Sequence, residues 1–107
     1  MSWYKIARDI KDLSFNSNNL VEITVENKVV CIAKQSDQSI RAFAATCPHA
    51  GARLVEGYLD ALGNMVCPLH HYKFEMSKGR NCSGEGYILR IYPLEWREDG
   101  IFIQFLD

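Results

Sequence analysis

The chain lacks the features that mark several large classes of protein. Its longest apolar run among 107 residues is "VVCIA" at 29–33, far below the ~20 residues that a membrane-spanning helix needs. The 12 basic and 13 acidic residues give a net charge of −1 and form no polybasic run, so a nucleic-acid-binding surface is not expected. No GxGxxG or phosphate-binding loop occurs, and flavin, nicotinamide and ATP therefore have no motif-based support.

An export signal is also missing from the opening residues. The stretch "MSWYKIARDI" has no basic start followed by an apolar core, which a secretory signal would show. Four cysteines could form two disulfides in a secreted domain, but two of them stand near histidines at ligand-like spacing. We therefore expect a cytoplasmic protein with reduced, metal-binding thiolates.

The outer parts of the sequence predict an all-β fold. A chain of this length is expected to form one domain, 1–107. Short segments with strand character recur at spacings near ten residues, and no long helical stripe competes with them, which favours an antiparallel sandwich or barrel. Glu26-Asn27 and the "EDG" at 98–100 predict hairpin turns, and 10–14 predicts at most one helical turn. The predicted strands are 3–7, 20–25, 28–34, 40–46, 92–97 and 101–106, with Ile40 and Phe43 as core anchors.

Cysteine and histidine are concentrated in the middle region, 47–90, which carries two similar pairs. Cys47 stands two residues before His49, and Cys67 stands three residues before His70, with seventeen residues between the pairs. Short spacing lets both side chains of a loop point to a common site, and the long gap lets the second loop approach from the other side. Two thiolates and two imidazoles suit either a tetrahedral zinc ion or an iron–sulfur centre. Ordinary loop residues would not be expected to repeat this pattern.

The two boxes, "CPHAGARLVEGYLD" and "CPLHHYKFEMSKGR", resemble the cluster-binding boxes of Rieske proteins, in particular the Rieske-type ferredoxins. That resemblance implies one 2Fe–2S cluster per chain, in which two histidines replace two cysteines at one iron. Carried over to this sequence, Cys47 and Cys67 would bind the inner iron, and His49 and His70 the outer iron. The implied fold is a Rieske-like β scaffold with an inserted two-loop, cluster-binding subdomain at about 46–80.

The resemblance also implies a function without catalysis. A Rieske-type ferredoxin passes single electrons from a reductase to an acceptor such as a terminal oxygenase, and we expect a free monomer that binds neither membrane nor nucleic acid. Once His49 and His70 are used, only His71 remains, so the chain cannot assemble the histidine–carboxylate iron site of an oxygenase. Two alternatives stay open: a Rieske-like small subunit of a larger reductase of the nitrite reductase type, and a zinc-stabilised binding module.

Departures from the high-potential Rieske proteins bear on the reduction potential. In the bc-type proteins each box carries an extra cysteine, and the matching positions here are Ala52 and Leu69, so the disulfide between the loops cannot form. Two hydroxyl donors of those proteins correspond to Tyr72 and Phe74. Fewer hydrogen bonds stabilise the reduced centre less, which predicts a potential in the lower half of the ~−150 to +300 mV Rieske range.

Other polar and reactive residues in or near the boxes have simpler interpretations. We expect His71 to be a surface histidine rather than a ligand or proton relay, Cys31 to be a buried core thiol and Cys82 a free loop thiol. Tyr72 and Phe74 could shield the cluster or belong to the core. An apolar collar is either a docking patch or loop packing, and three acidic residues are expected to be solvated. The collar is Pro48, Ala50, Pro68 and Leu69; the acidic residues are Glu56, Asp60 and Glu75.

Overall fold

Residues 1–106 are described by the computed structural model, which arranges them in three antiparallel β-sheets. The first sheet has the spatial order β1 (Ser2–Ala7), β10 (Gly100–Phe105), β9 (Leu94–Arg97). The second has the order β2 (Leu20–Val25), β3 (Lys28–Lys34), β4 (Ile40–Ala44), β8 (Ile91–Tyr92). The third consists of β5 (Tyr58–Leu59), β6 (Met65–Val66) and β7 (Lys73–Phe74). The predicted all-β, antiparallel architecture is confirmed.

Helical structure within residues 1–106 is limited to two single turns of 3₁₀ helix, Ile10–Asp12 and Leu54–Glu56. The first lies inside the segment where the sequence predicts one helical turn. No helix in this part of the chain has the length and apolar character that crossing a membrane requires.

Both predicted hairpins are present. Strands β2 and β3 pair from Leu20↔Ala33 to Val25↔Lys28, and the two residues between them have φ values of 49° at Glu26 and 67° at Asn27. Two successive left-handed residues are what a type I′ turn requires, and its twist matches that of the strands it joins. The second hairpin pairs Arg97 of β9 with Gly100 of β10, with Glu98 and Asp99 forming the turn.

Proline divides the strand predicted at 92–97. Tyr92 pairs with Ala42 of β4 in the second sheet, whereas Leu94 pairs with Ile103 of β10 in the first. Pro93 lies between them, lacks the N–H that a ladder needs, and uses its carbonyl to accept from the N–H of Gln104 at 3.0 Å. The prediction of one continuous strand was therefore wrong, because this segment passes from one sheet to another.

The second sheet separates two hydrophobic cores, and β3 contributes to both. Successive side chains of a strand point to opposite faces, so Val30 and Ile32 pack toward the first sheet while Cys31 and Ala33 pack toward the third. The run "VVCIA" is thus apolar because both faces of the strand are covered. Burial, with a smaller contribution from Glu22, raises the pKa of the Cys31 thiol to about 12. Cys31 is the buried core thiol that the sequence predicts, and the expected anchors Ile40 and Phe43 are also buried.

Both cysteine–histidine boxes lie in one long segment between β4 and β8, here called the excursion from the second sheet. The chain leaves that sheet at the end of β4 and returns at β8, where Ile91 pairs with Phe43. Bridges between Phe74 and Asn81 and between Arg80 and Ile88 show that the excursion continues past residue 80, where the sequence places the end of the subdomain.

The structure leaves no space for a side chain at Gly79, and this position provides a test of the fold. Its φ is 78°, and an added Cβ would lie 1.8 Å from the carbonyl oxygen of Leu89. Gly84 has a similar φ of 96° but open space around it. We expect Gly84→Ala to lower the free energy of unfolding by about 1 kcal/mol through backbone strain alone. Gly79→Ala is expected to cost about 3 kcal/mol or more. Urea denaturation followed by circular dichroism measures both; equal costs would contradict the close approach of Leu89.

Candidate functional site

The two cysteine–histidine boxes form loops of the same design. The N–H of Cys47 donates to the carbonyl of Ala52 at 2.8 Å, and the N–H of Cys67 donates to the carbonyl of Tyr72 at 2.9 Å. Each cysteine therefore begins a loop closed by a bond to the fifth residue after it. We call residues 47–52 the first ligand loop and residues 67–72 the second ligand loop.

The fourth residue after each cysteine has a left-handed backbone conformation, which reverses the direction of the chain in each loop. In the first ligand loop this residue is Gly51, with φ 72°, whose N–H donates to the carbonyl of Cys47 at 2.9 Å. In the second ligand loop it is His71, with φ 60°, preceded by His70 at 67°. Non-glycine residues adopt this conformation at a cost and persist there where the surrounding structure requires it. His71 is exposed, as the sequence predicts, and it stands where the first loop has glycine.

The two cysteines of the loops meet in the interior. Cys47 is 2% exposed and Cys67 is 0% exposed, both within the core between the second and third sheets. Burial raises the pKa of the Cys67 thiol; the Leu69 N–H opposes this rise, and the adjacent Cys47 reinforces it. At neutral pH such a thiol stays protonated unless a bound metal displaces the proton. Two adjacent sulfurs in an apolar pocket are therefore well placed to bind a metal group and are otherwise unreactive.

The two histidines meet on the outer side of the same loops. Their ring centroids are 5.5 Å apart; His49 is half-buried and His70 is exposed. The Nδ1 atom of His49 is buried and has no hydrogen-bond partner, which leaves a polar atom unsatisfied at a typical cost of about 1–3 kcal/mol. A bond from Nδ1 to a metal would satisfy this atom.

The four side chains fit a group with two metals better than a single ion. They form a sulfur pair inside and an imidazole pair outside, and in residues 1–106 no three His, Cys, Asp or Glu side chains converge on one point. A structural zinc ion takes four ligands around one centre. A 2Fe–2S group of the Rieske type takes two sulfurs at one iron and two imidazoles at the other, which matches the observed pairs.

Two tyrosines pack against the ring of His49, the half-buried histidine of the pair. The ring of Tyr72 lies 4.2 Å from that of His49, and the ring of Tyr87 lies 5.4 Å from it. The tyrosine rings stack on each other at 6.0 Å. Of the two aromatic residues with open roles, Tyr72 thus covers the histidine, whereas Phe74 is a fully buried core residue. Tyr87 was missed from the sequence, where only its position after a glycine-rich stretch marks it.

A hydrogen-bond network on Asn81 holds the loop that precedes Tyr87. The Asn81 amide donates to the carbonyl of Lys73 at 3.0 Å and to Glu85 Oε1 at 2.9 Å. Its oxygen accepts from the N–H groups of Glu85 and Gly86. Residues 81–87 are thereby fixed to β7, which brings Tyr87 to His49. Cys82 in this loop is exposed and free, as predicted.

Glu75 begins a third loop of the same design, in which a carboxylate stands where the ligand loops have a thiol. Its N–H donates to the carbonyl of Arg80 at 2.9 Å, and the N–H of Gly79 donates to its carbonyl at 3.0 Å. The side chain accepts from the N–H groups of Ser77, Lys78 and Arg80 at 3.0, 2.8 and 3.2 Å. The expectation that Glu75 is a solvated surface residue was therefore wrong.

The other acidic residues behave differently from one another. Asp60 accepts from the N–H groups of Leu62 and Asn64, each at 2.9 Å, so it organises a turn and is not simply solvated as expected. Glu56 is exposed, as predicted, and pairs with Arg53 at 3.2 Å. Both are satisfied within the protein, and neither lies among the metal-ligand candidates.

The four residues of the apolar collar differ in their exposure to solvent. Pro48, Ala50 and Leu69 are exposed, and Pro68 is half-buried. All four cysteines are free, and Ala52 and Leu69 carry no thiol.

Comparison with known families identifies the class to which this fold and site belong. Residues 2–86 match the model of the Rieske [2Fe-2S] domain. Because the match covers most of the chain, the protein belongs to the Rieske domain family, and its cofactor is the 2Fe–2S cluster of that family. The zinc alternative considered from the sequence is thereby superseded.

Two curated relatives show different lengths of overlap. The carnitine monooxygenase oxygenase subunit of Escherichia coli K12 is 29% identical over 85 residues, and this chain spans 22% of that protein's length. The ferredoxin component of the naphthalene 1,2-dioxygenase system of Pseudomonas putida is 28% identical over 78 residues, covering 72% of this chain and 73% of the relative.

Two solved structures share the fold over nearly the whole chain. The ferredoxin of carbazole 1,9a-dioxygenase from Nocardioides aromaticivorans superposes with a TM-score of 0.78 at 22% identity, covering 96% of this chain and 97% of that one. A putative NADH-dependent nitrite reductase small subunit from Mycobacterium tuberculosis gives 0.81 at 18% identity, covering 99% and 96%. At these identities both likenesses establish the fold and nothing further.

Glu75 should make stability depend on pH in the acid range. Burial by itself raises the pKa of this carboxyl, but hydrogen bonds from Ser77, Arg80 and Lys78 outweigh it and lower the pKa from 4.5 to about 2. A lowered pKa in the folded state adds stability above the unfolded pKa and loses it as pH falls toward the folded value. We expect wild type to exceed Glu75→Gln in urea midpoint at neutral pH, with the difference shrinking below pH 4.5. A difference that stays constant with pH would contradict the assignment.

Proposed function

We propose that the chain is a one-electron carrier whose 2Fe–2S cluster is bound by Cys47, Cys67, His49 and His70. The observation that carries this proposal is the separation of the site into a buried sulfur pair and an outward imidazole pair in a member of the Rieske family. When bound, the cluster supplies a centre that accepts and releases one electron. The cysteines would bind the inner iron, and the histidines would bind the iron nearer the surface.

The ligand set favours electron transfer at a moderate potential. Neutral imidazoles in place of two thiolates leave the site less negative, so the potential rises above that of a four-cysteine cluster. Burial of both cysteines keeps water from the sulfur side, and the exposed His70 ring provides a short path to a partner. Phe74 has no hydroxyl to donate, and Ala52 and Leu69 cannot form the interloop disulfide, which supports a potential in the lower half of the Rieske range.

The relatives favour a carrier that serves an oxygenase. The naphthalene dioxygenase relative, which this chain matches over most of both lengths, is a ferredoxin component. We therefore propose a reductase as electron donor and a terminal oxygenase as acceptor, with no catalytic site in this chain. His71 is the one histidine left after the ligands are assigned, too few for an oxygenase iron site.

The domain organisation proposed from the sequence suits this function. We propose a single domain, 1–107, whose cluster-binding subdomain, at about 46–80, lies within the excursion between β4 and β8. The proposal extends to a cytoplasmic location and a monomeric free state, because a diffusing carrier must present its histidine side to two partners in turn.

The four cysteines provide a matched test of the ligand assignment. We expect Cys47→Ser and Cys67→Ser to abolish cluster binding, because each would leave the inner iron with one protein thiolate in place of two. Cys82→Ser and Cys31→Ala should retain about two iron and two sulfide per chain, since neither thiol belongs to the proposed ligand set. Iron and acid-labile sulfide analysis of the four purified variants decides the matter. Loss of the cluster in Cys82→Ser, or full occupancy in Cys67→Ser, would contradict the assignment.

The adjacent histidines allow an equally close comparison. His70 and His71 are both exposed and both left-handed, so glycine is compatible with the backbone at either position. We expect His70→Gly to lose the Rieske-type electron paramagnetic resonance (EPR) signal and most of its iron, while His71→Gly keeps both. The reverse result would assign the ligand to His71.

A further inference from the structure

A basic groove lies on the flank of the cluster-binding subdomain. Its cavity volume is about 680 Å³, and residues of β4, β8, β9 and the loop that Glu75 begins line it. Three exposed cations and two large apolar side chains define it: Arg41, Lys78, Arg90, Ile88 and Trp96. We call this set the basic groove.

The positive charge of this groove is not balanced locally. Among residues 1–106 its lining contains no aspartate or glutamate, and within the same range Arg41, Lys78 and Arg90 form no salt bridge. Hydrogen bonds from Ser39 lower the pKa of Asp37, and Arg41 adds only a smaller electrostatic contribution to that shift. The whole chain carries a net charge of −1, so the groove is a local exception.

A second groove shows what a balanced surface looks like. Its three cations are accompanied by four carboxylates in the same lining: Lys5, Arg8 and Lys11 with Asp9, Asp12, Glu98 and Asp99. An anionic partner would meet repulsion there and attraction in the basic groove.

The shape and backbone of the basic groove suit an extended segment. Strands β8 and β9 both line it, and in the part of the chain that the structure describes each stands at the edge of its sheet. Such edges can pair with an added strand. Ile88 and Trp96 are 67% and 58% exposed, so they offer apolar contact to a side chain of the segment.

We propose that the basic groove binds an acidic, extended segment of an electron-transfer partner. Carboxylates of the segment would pair with Arg41, Lys78 and Arg90, and an apolar side chain would pack on Ile88 and Trp96. The inference rests on the proposed function, because only a chain that carries electrons to another protein needs a groove that holds an electron-transfer partner. Ile88 of the groove directly follows Tyr87, whose ring lies 5.4 Å from that of His49, so the groove is one residue along the chain from a side chain that packs on this imidazole.

The test uses the cluster-containing protein and a fluorescein-labelled octapeptide of alternating glutamate and leucine. We expect the peptide to bind wild type at low ionic strength and to shift the indole N–H resonance of Trp96, but not that of Trp3. Arg41→Glu with Arg90→Glu should weaken binding by about tenfold or more, because attraction becomes repulsion at two sites. The matched control, Arg8→Glu with Lys11→Glu, reverses two charges in the other groove and should change binding by less than about twofold.

Several results would overturn the proposal. These are equal weakening by the two double variants, an unshifted Trp96 resonance, or equally tight binding of a lysine–leucine octapeptide. If the Arg41 and Arg90 double variant does not fold, Lys78→Glu provides the same comparison at an exposed loop residue. Each protein is also assayed for iron and for the reduced EPR signal. An intact signal without peptide binding overturns the groove alone, whereas absence of iron in wild type overturns the proposed function.

Discussion

Two thiols held side by side in an apolar core are the constraint on which the rest of the site depends. Burial raises the pKa of Cys67, and the neighbouring Cys47 raises it further, so a pair of thiolates is unfavourable here without a cation. A metal cluster reverses that balance by displacing the protons and bonding both sulfurs. The second and third sheets supply the dry walls, with Leu54 and Phe74 among the fully buried residues around the pair.

The outward histidines follow from the same arrangement. Each ligand loop begins at a buried cysteine, turns at a left-handed residue and closes on the fifth residue after the cysteine, which leaves His49 and His70 on the outer side. The loop that Glu75 begins is closed by the same backbone bond to the fifth residue, but its first side chain is a carboxylate that accepts hydrogen bonds from the N–H groups of Ser77, Lys78 and Arg80. A backbone design that carries the proposed ligands in two loops thus serves as a structural support in the third, whose end at Arg80 leads into the loop that carries Tyr87.

Much of the scaffold could be predicted from local patterns. One hairpin could be predicted from its own residues alone. Its signals are the alternation in 20–25, the apolar run at 29–33 and the turn at Glu26-Asn27. The proposed ligand set comes from a different signal, since two cysteine–histidine pairs at these spacings rarely occur without a metal, and it stays a prediction. Pro93 was misjudged because both flanking segments have strand character, and the sequence does not show that they pair with different sheets.

Residues whose roles depend on how the backbone folds around them were the ones missed. Glu75 was expected to be solvated because a carboxylate between apolar residues gives no sign of the loop backbone that will satisfy it. Tyr87 is 38 positions after His49 in the chain, and the Asn81 hydrogen-bond network and the bridges of Phe74 with Asn81 and of Arg80 with Ile88 bring it to that ring. The basic groove likewise assembles cations from β4, from the loop after Glu75 and from the approach to β8, which no single stretch of sequence reveals.

The most direct test of the account is spectroscopy combined with metal analysis of the purified wild-type protein. We expect a red-brown protein with about two iron and two acid-labile sulfide per chain, whose low-temperature EPR spectrum after dithionite shows the signal of a reduced Rieske cluster. A colourless protein that contains about one zinc per chain after anaerobic purification and shows no EPR change on reduction would contradict it. In that case the two cysteines and two histidines would serve folding alone.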